Sequence, residues 1–452
     1  MNIRKLDRTT ILRALQAGIA PNRGLQHLQV GREHEVEAVT SDLLLAKSGS
    51  SAVRFIIGDY GAGKSFFLQL TRGAAHRAGL VTMSADITQD ARLYGTGGKV
   101  RSLHSALVAS MGSRTQPEGG ALAEVLERFL ASCRQQAQDA GQDLEAVVTR
   151  RLTSLHQFQS GFAFARVVMT YWHASQRSDD ATREAVLRWF RAEYSSRTEA
   201  RRAIGVDAFL GDGELLNSWR LFAQLVMLAG YGGLHIQVDE MAVLTRLNRA
   251  TRNMNYEQIL TMINSLLTGQ AAGLSVIFAG TPDFVRSNTT GLYSYGALRQ
   301  RLGENPYAEA GLRDASGIVI DLEPLDREDL FVLLLNVHSV YCSNGQRDPL
   351  RGEVEEVLHA FMQQASEQLG GITRVSPREA TRTWLHLLNI LDQNRKKEWR
   401  DLLKIVTVAP DEDARVDGYS LPQMETASAP EPLNPHAHSA HESSAELAGF
   451  RL

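Results

Sequence analysis

Two cysteines in 452 residues, Cys133 and Cys342, lie far apart and without metal-ligand spacing. That scarcity excludes a disulfide framework and fits a reducing cytoplasm. Long apolar runs are missing too: nowhere is there the stretch of roughly eighteen residues that a spanning helix needs. The opening MNIRKLDRTTILRALQAG has no secretory hydrophobic segment. The expectation is a soluble, cytoplasmic protein with no membrane partner. Nor is one sign of charge in excess, since 48 Lys and Arg against 51 Asp and Glu leave a net −3. A uniformly basic nucleic-acid coat is excluded, although a local basic face is not. No internal repeat is present. The remainder, 43% hydrophobic and 22% charged, is ordinary globular composition with length for roughly two or three domains.

Against those absences stands one complete G-x-x-x-x-G-K-[ST] loop: Gly58, Asp59, Tyr60, Gly61, Ala62, Gly63, Lys64 and Ser65, followed by Phe66. The apolar run Val53 to Ile57 before it reads as a buried strand, and Phe66 to Leu70 after it can open a helix. Strand, loop and helix in that order are the setting in which such a loop binds phosphate. Glycines let backbone N–H groups turn inward around phosphate oxygens, and the helix N-terminus adds a favourable dipole. The Lys64 ammonium can reach the β- and γ-phosphates, and the Ser65 hydroxyl can ligate Mg²⁺. The chain is expected to bind a nucleoside triphosphate, ATP with Mg²⁺.

Further strands are expected at 80–87, 234–238, 274–279 and 317–322, and helices at 8–18, from Glu33 to about Lys47, and around 255–269. Between roughly 100 and 230 the apolar spacing is helical almost throughout. After Asp326 three helical patterns succeed one another, at 327–342, 353–368 and 377–393, and read as a lid. The fold class is therefore α/β. The expected organisation is an N-terminal helix at 1–24, a first core part at 25–100 and a helical insertion at 101–215. A second core part follows at 216–324, then a helical lid at 325–408 and a disordered Pro/Ser/Ala/His-rich tail at 409–452.

The strand at 234–238 delivers Asp239 and Glu240 at its C-terminal end, where an open α/β sheet places its ligand crevice. Asp239 can hold Mg²⁺ there, and Glu240 can orient and polarise an attacking water. Adjacent carboxylates argue for hydrolysis over a binding-only pocket. Thr281, after the strand at 274–279, can hydrogen-bond the γ-phosphate or the water; its bland alternative is a turn residue before Pro282. Arg299 and Arg301 can clamp developing phosphate charge across a subunit interface, or simply be solvated. In the lid, Ser376 can cap a helix opened by Pro377. Arg378 on its first turn can fold back onto the γ-phosphate, or pair with Glu379 or solvent.

With these pieces in order the chain resembles the AAA+ ATPases, in the branch nearest the origin-recognition and STAND-type proteins, over about 25–405. That resemblance implies a three-layer parallel-sheet core with a long helical insertion and a helical lid. It implies that Val30, Gly31 and Arg32, continuing into Glu33, form the motif near the adenine. Gly58 to Ser65 fall at Walker A, Asp239–Glu240 at Walker B and Thr281 at sensor 1. Arg299 or Arg301 falls at the arginine finger, and Arg378 at sensor 2. Closer still, four stretches resemble the ATP-binding proteins of bacteriophage-exclusion (BREX) defence. They are Arg13 to Leu25 before Val30–Gly31–Arg32, the phosphate loop running into Phe66–Phe67, Gly230 to Leu234, and Pro377–Arg378–Glu379. A bacterial ATPase acting with other defence proteins, on or near DNA, is implied.

Two departures from the pattern matter. Lys64 and Asp239 lie much further apart than a minimal core requires, and the winged-helix domain that origin-recognition relatives carry after the lid is not apparent. DNA contacts, if made, fall to the insertion, the core or a partner. Candidate basic groups are Arg246, Arg249 and Arg252, and Arg188 and Arg191 with Arg197, Arg201 and Arg202 beyond; solvated or protein-facing roles compete. Two functions stay open: an ATP-driven switch or motor, which a trans finger makes a homo-oligomer, and a slow-turnover ATP-loaded scaffold that recruits partners. A phosphoryl transferase lacks any recognisable acceptor site, and the HRD and DFG elements of a protein kinase are absent.

Overall fold

Alternate residues of each apolar strand go to opposite faces of one sheet, and both faces are covered by helices. The computed structural model describes residues 3–206, 214–303, 316–369 and 376–405. They form five parallel strands, β1 (Ser51–Ile57), β2 (Val81–Asp86), β3 (Leu234–Asp239), β4 (Leu274–Gly280) and β5 (Val319–Asp321), in the order β2-β3-β4-β1-β5. β4 is buried along its whole length, as a central parallel strand must be. On one face Val53, Phe55, Ile57, Leu274, Val276 and Phe278 join a core that continues into the helices between residues 99 and 228. On the other, Ile56, Ile277 and Ala279 pack beneath the helices Glu33–Lys47 and Lys64–Ala78. The α/β class expected from the sequence is the class observed, with a shorter β5 and a first helix, Lys5–Gln16, set slightly earlier than expected.

The helices of the insertion share one hydrophobic cluster with the sheet. Phe164 stands edge-on to Phe190 (5.0 Å) and Phe222 (5.4 Å), and His104 is sealed among them. Gly112 bridges back to Thr82 of β2. The lid has its own core, built from Arg327–Tyr341, Val354–Leu369, Pro377–Gln393 and Trp399–Leu403. Ile3 and Ile11 of the N-terminal segment are buried in that same core, so the first helix packs as part of the lid. The Pro/Ser/Ala/His-rich tail, Gly371–Arg374 and most of the Gly/Asp-rich connector at 205–214 lie outside the described residues. No described helix is long and apolar enough to cross a membrane.

The face of β3 under the P-loop helix is polar. Gln237 Nε2 donates to Leu68 O and Thr71 Oγ1, both at 2.9 Å. His235 Nδ1 meets Ser275 Oγ at 3.1 Å, and His76 Nε2 meets Thr82 Oγ1 at 2.9 Å. In the insertion, His104 Nε2 donates to Phe190 O at 2.9 Å. Burial holds His76 and His104 down to about 4 and His235 to about 3, with the Arg72 charge adding to the effect on His76 and His235.

All three imidazoles are therefore neutral in the fold and ionise in the unfolded chain below about pH 6.5. The unfolded state then binds more protons, so stability is complete above about pH 6.5 and is lost as pH falls through about 4. The expected result is a melting midpoint several degrees lower at about pH 5 than at about pH 7.5. A His104→Gln variant should show a shallower pH slope. A midpoint unchanged between those two conditions would contradict the neutral, buried state of these rings.

Candidate functional site

β1 ends at Ile57 and passes directly into the glycine-rich loop. Gly58 is pinned at this point. Its N–H donates to Gly280 O at the end of β4 (3.2 Å), while Leu322 N–H donates to Ile57 O (2.7 Å). A Cβ on Gly58 would stand 3.0 Å from Leu322 O and 3.2 Å from Ala62 Cβ, so a larger residue would push on backbone. Gly63, at φ +89°, makes the left-handed turn that starts the helix Lys64–Ala78. The helix thus begins with unsatisfied N–H groups and its positive dipole end at the loop.

Lys64 Nζ folds back onto Gly58 O (2.7 Å) and Asp59 O (3.0 Å) and lies 5.3 Å from the centre of the Tyr60 ring. Burial lowers its pKa; Asp239, Glu240 and Asp59 oppose that effect, and the Arg378 charge adds to it. Ser65 is exposed on the first turn, and Phe66 beside it packs against the lid core.

Asp239 closes β3 in register with Asp86, the last residue of β2. Its Oδ1 accepts the Glu240 N–H at 2.8 Å, and its carbonyl accepts Ile87 N–H at 2.9 Å. Glu240 takes a left-handed backbone, φ +55°, which costs a non-glycine residue on the order of 1 kcal/mol. Burial raises the pKa of both carboxyls. The Asp86 charge raises both further, and Lys64 opposes it. Asp86 did not emerge from the sequence, although its place at the C-terminal end of an apolar strand was the available signal. The Asp239 carboxylate and the Ser65 hydroxyl are oxygen donors of the kind a hard cation takes, and Asp86 and Glu240 add negative charge to the same edge. Thr281 follows β4 directly and sits at the N-cap of the short helix Pro282–Arg286 without capping it through its side chain.

The Val30–Gly31–Arg32 segment is wedged among three elements. Arg32, at φ +65°, donates to Ala62 O of the phosphate loop (3.3 Å) and to Glu323 O beyond β5, and its guanidinium lies 3.6 Å from the Glu35 carboxylate. Burial lowers its pKa against the pull of neighbouring carboxylates. A Cβ on Gly31 would stand 3.2 Å from Asp329 Oδ2, on the first lid helix. Arg378 occupies the first turn of Pro377–Gln393, where Ser376 Oγ accepts Glu379 N–H at 3.2 Å. A Cβ on Gly18 would lie 3.4 Å from Arg378 Cγ, so the arginine stem runs along the N-terminal segment.

The expected phosphate loop, Asp239, Glu240, Thr281, Arg32 and Arg378 thus gather along the C-terminal edge of the sheet. Arg299 and Arg301 are exposed on the helix Gly296–Leu302, and their donors go elsewhere than the phosphate loop. Arg299 Nε bonds Tyr293 O (3.0 Å), and Arg301 Nε bonds Asn264 Oδ1 (2.6 Å). Of the basic groups, Arg188 pairs with Glu193 and Arg191 with Glu184, each at 3.1 Å. Arg252 donates to Leu247 O at 3.1 Å, whereas Arg249 is exposed at its helix start.

A family model described as BREX system ATP-binding protein BrxC/D matches residues 3–407. The chain belongs to that family, and an ATP-binding role in BREX defence follows. The four sequence stretches quoted above resemble BrxD in particular; the match is to BrxC and BrxD together. No curated protein and no solved structure matches the chain.

Removing the Lys64 ammonium should weaken ATP binding roughly hundredfold, from loss of a charge-assisted hydrogen bond worth up to about 3 kcal/mol. Lys64→Ala, titrated with ATP in a calorimeter beside the unaltered protein, is the measurement. Equal affinities would show that nucleotide does not sit on this loop.

Proposed function

We propose that this BREX ATP-binding protein is an AAA+-type ATPase that hydrolyses Mg²⁺-bound ATP and uses the cycle to move its lid. The observation carrying the reading is that β1 and β3 run parallel on either side of β4, so the glycine-rich loop, Thr281 and Asp239–Glu240 all follow strand ends on the same edge of the sheet. Lys64 and the helix N-terminus hold the β- and γ-phosphates. Ser65 and Asp239 hold Mg²⁺, which neutralises phosphate charge when bound. Glu240 is the group that orients and polarises the attacking water, and its raised pKa favours taking a proton as bond cleavage proceeds. Thr281 aligns the γ-phosphate or the water. Arg378, reaching in from the lid, couples the phosphate to lid position. Val30, Gly31 and Arg32 flank the nucleotide where core and lid meet.

Arg299 or Arg301 serves as the finger toward a neighbouring subunit, which makes the working form a homo-oligomer in the cytoplasm. The output is a changed grip on DNA or on other defence proteins. The pairing of Arg188, Arg191 and Arg252 with groups of the same chain favours a switch gated by a protein partner. A slow-turnover, ATP-loaded scaffold is the second reading, and the same observation supports it.

Steady-state ATP hydrolysis with and without duplex and single-stranded DNA separates these readings. Glu240→Gln should retain ATP binding while its turnover falls by about 10²–10⁴-fold. Normal turnover in that variant would remove Glu240 from its role. Strong stimulation by DNA would mean that the chain itself grips nucleic acid. A low rate indifferent to DNA, with tight ATP binding, would point to a partner as the trigger.

A further inference from the structure

The helix Arg327–Tyr341 and the loop after it carry a side-chain cluster that nucleotide chemistry does not use. His338 Nε2 and Cys342 Sγ, one helical turn apart, lie 3.4 Å from each other. Asp348 enters from the loop, with Oδ1 3.0 Å from His338 Nε2 and 3.9 Å from Cys342 Sγ. Among the described residues this is the one group of three His, Cys, Asp or Glu side chains whose ligand atoms all fall within 4.8 Å of each other.

Around a tetrahedral Zn²⁺, ordinary Zn–N, Zn–O and Zn–S lengths separate the ligand atoms by roughly 3.3–3.6 Å. The three observed separations bracket that span. The carboxylate is already aimed: Asp348 Oδ1 accepts Leu350 N–H at 2.9 Å, and Oδ2 accepts Gly352 N–H at 2.8 Å. Outer hydrogen bonds of this kind fix a ligand's orientation. Hydrogen bonding alone serves the cluster less well. The single nitrogen Nε2 faces both sulfur and carboxylate, and as a donor it satisfies only one. The thiol then keeps only long contacts, 3.9 Å to Asp348 and 4.0 Å to Arg347 O. His338 is buried, while Cys342 and Asp348 retain partial solvent access through which an ion can enter.

We infer that His338, Cys342 and Asp348 form a binding site for a divalent cation of the zinc class, with water as the fourth ligand. On binding, the thiol proton leaves to solvent and a sulfur lone pair bonds the metal. The imidazole bonds through the Nε2 lone pair with its hydrogen on Nδ1, and no electron is transferred. One thiolate with one imidazole selects zinc over the hard cations that accompany nucleotides. Spacing in the sequence did not reveal the site, because it uses a single cysteine and its carboxylate arrives from a loop. Its role is structural. Beside it, Arg8 Nη2 donates to Tyr341 O (2.6 Å) and Asn344 Nδ2 donates to Ile3 O (2.7 Å), so the metal would brace the clamp between N-terminal segment and lid.

The test uses the full chain, stripped with chelator and titrated with Co²⁺ in excess Mg²⁺. A thiolate-to-cobalt charge-transfer band should grow and saturate at about one equivalent. It should survive Cys133→Ser, vanish in Cys342→Ser and require roughly tenfold more Co²⁺ in Asp348→Asn. Unaltered protein gives an independent reading, since Zn²⁺ should slow alkylation of Cys342, mapped by peptide mass, by roughly tenfold or more. The proposal is overturned if folded protein shows no such band, if the band persists without Cys342, or if Zn²⁺ leaves the alkylation rate unchanged. None of these outcomes depends on whether the phosphate loop turns over ATP.

Discussion

The chemistry proposed for this molecule depends on where β3 sits against the P-loop helix, and Gln237 sets that position. Its amide spans from β3 to Leu68 O and Thr71 Oγ1, two residues before Asp239 on one side and one turn beyond Lys64 on the other. Apolar side chains would tolerate a slide between strand and helix at little cost. A buried amide would not, because each bond lost leaves a desolvated donor at about 1–3 kcal/mol. His235 with Ser275 and His76 with Thr82 extend the same fixed stripe across β4 and β2. The ends of β3 and of the P-loop helix are therefore tied together by groups outside the proposed site.

The lid is tied to that frame by a few specific contacts. Arg32 grips the phosphate loop and the segment leading to the lid at the same time, and Phe66 reaches from the P-loop helix into the lid core. Arg378 lies along the N-terminal segment and contributes to the potential at Lys64. Two of the non-glycine residues with left-handed backbone, Arg32 and Glu240, stand at this site. Strain concentrated where geometry matters is sustained only by surroundings that over-determine it. Here those surroundings are the ends of β1, β3 and β4.

Local patterns in the sequence reached far. The helix Glu33–Lys47 was legible at both ends, the lid helix from Pro377 began where Ser376 indicated, and all five apolar runs became strands, the last of them shorter than expected. Motif residues were legible because glycine turns and strand-end carboxylates are local devices. What escaped were consequences of contacts between distant segments. Asp86 joins the acidic edge only because β2 lies beside β3. The polar partners of His235 and Gln237 likewise come from elsewhere in the chain, Ser275 on β4 for the first and Leu68 and Thr71 on the P-loop helix for the second. The sequence did not say whether the insertion at 101–215 stands apart or packs on the core; Phe164 and Phe190 belong to the same cluster as Phe55 and Phe278 of the sheet. Helical periodicity gives the buried face of a helix and not the identity of its neighbour.

The packing of the first helix into the lid also dictates an order of events. Arg8 is translated 333 residues before Tyr341, the residue whose carbonyl it holds. A nascent chain emerging from the ribosome carries Ile3 and Ile11 without their apolar partners until the lid sequence has followed. The sheet, the phosphate loop and the insertion can settle in the meantime, since β1 to β4 are complete by Gly280. Contacts of such long sequence separation form late. Docking of the first helix onto the lid is then expected to follow formation of the sheet. Messages truncated before Tyr341 would yield an open core displaying an unpaired amphipathic helix, a substrate for chaperones and proteases.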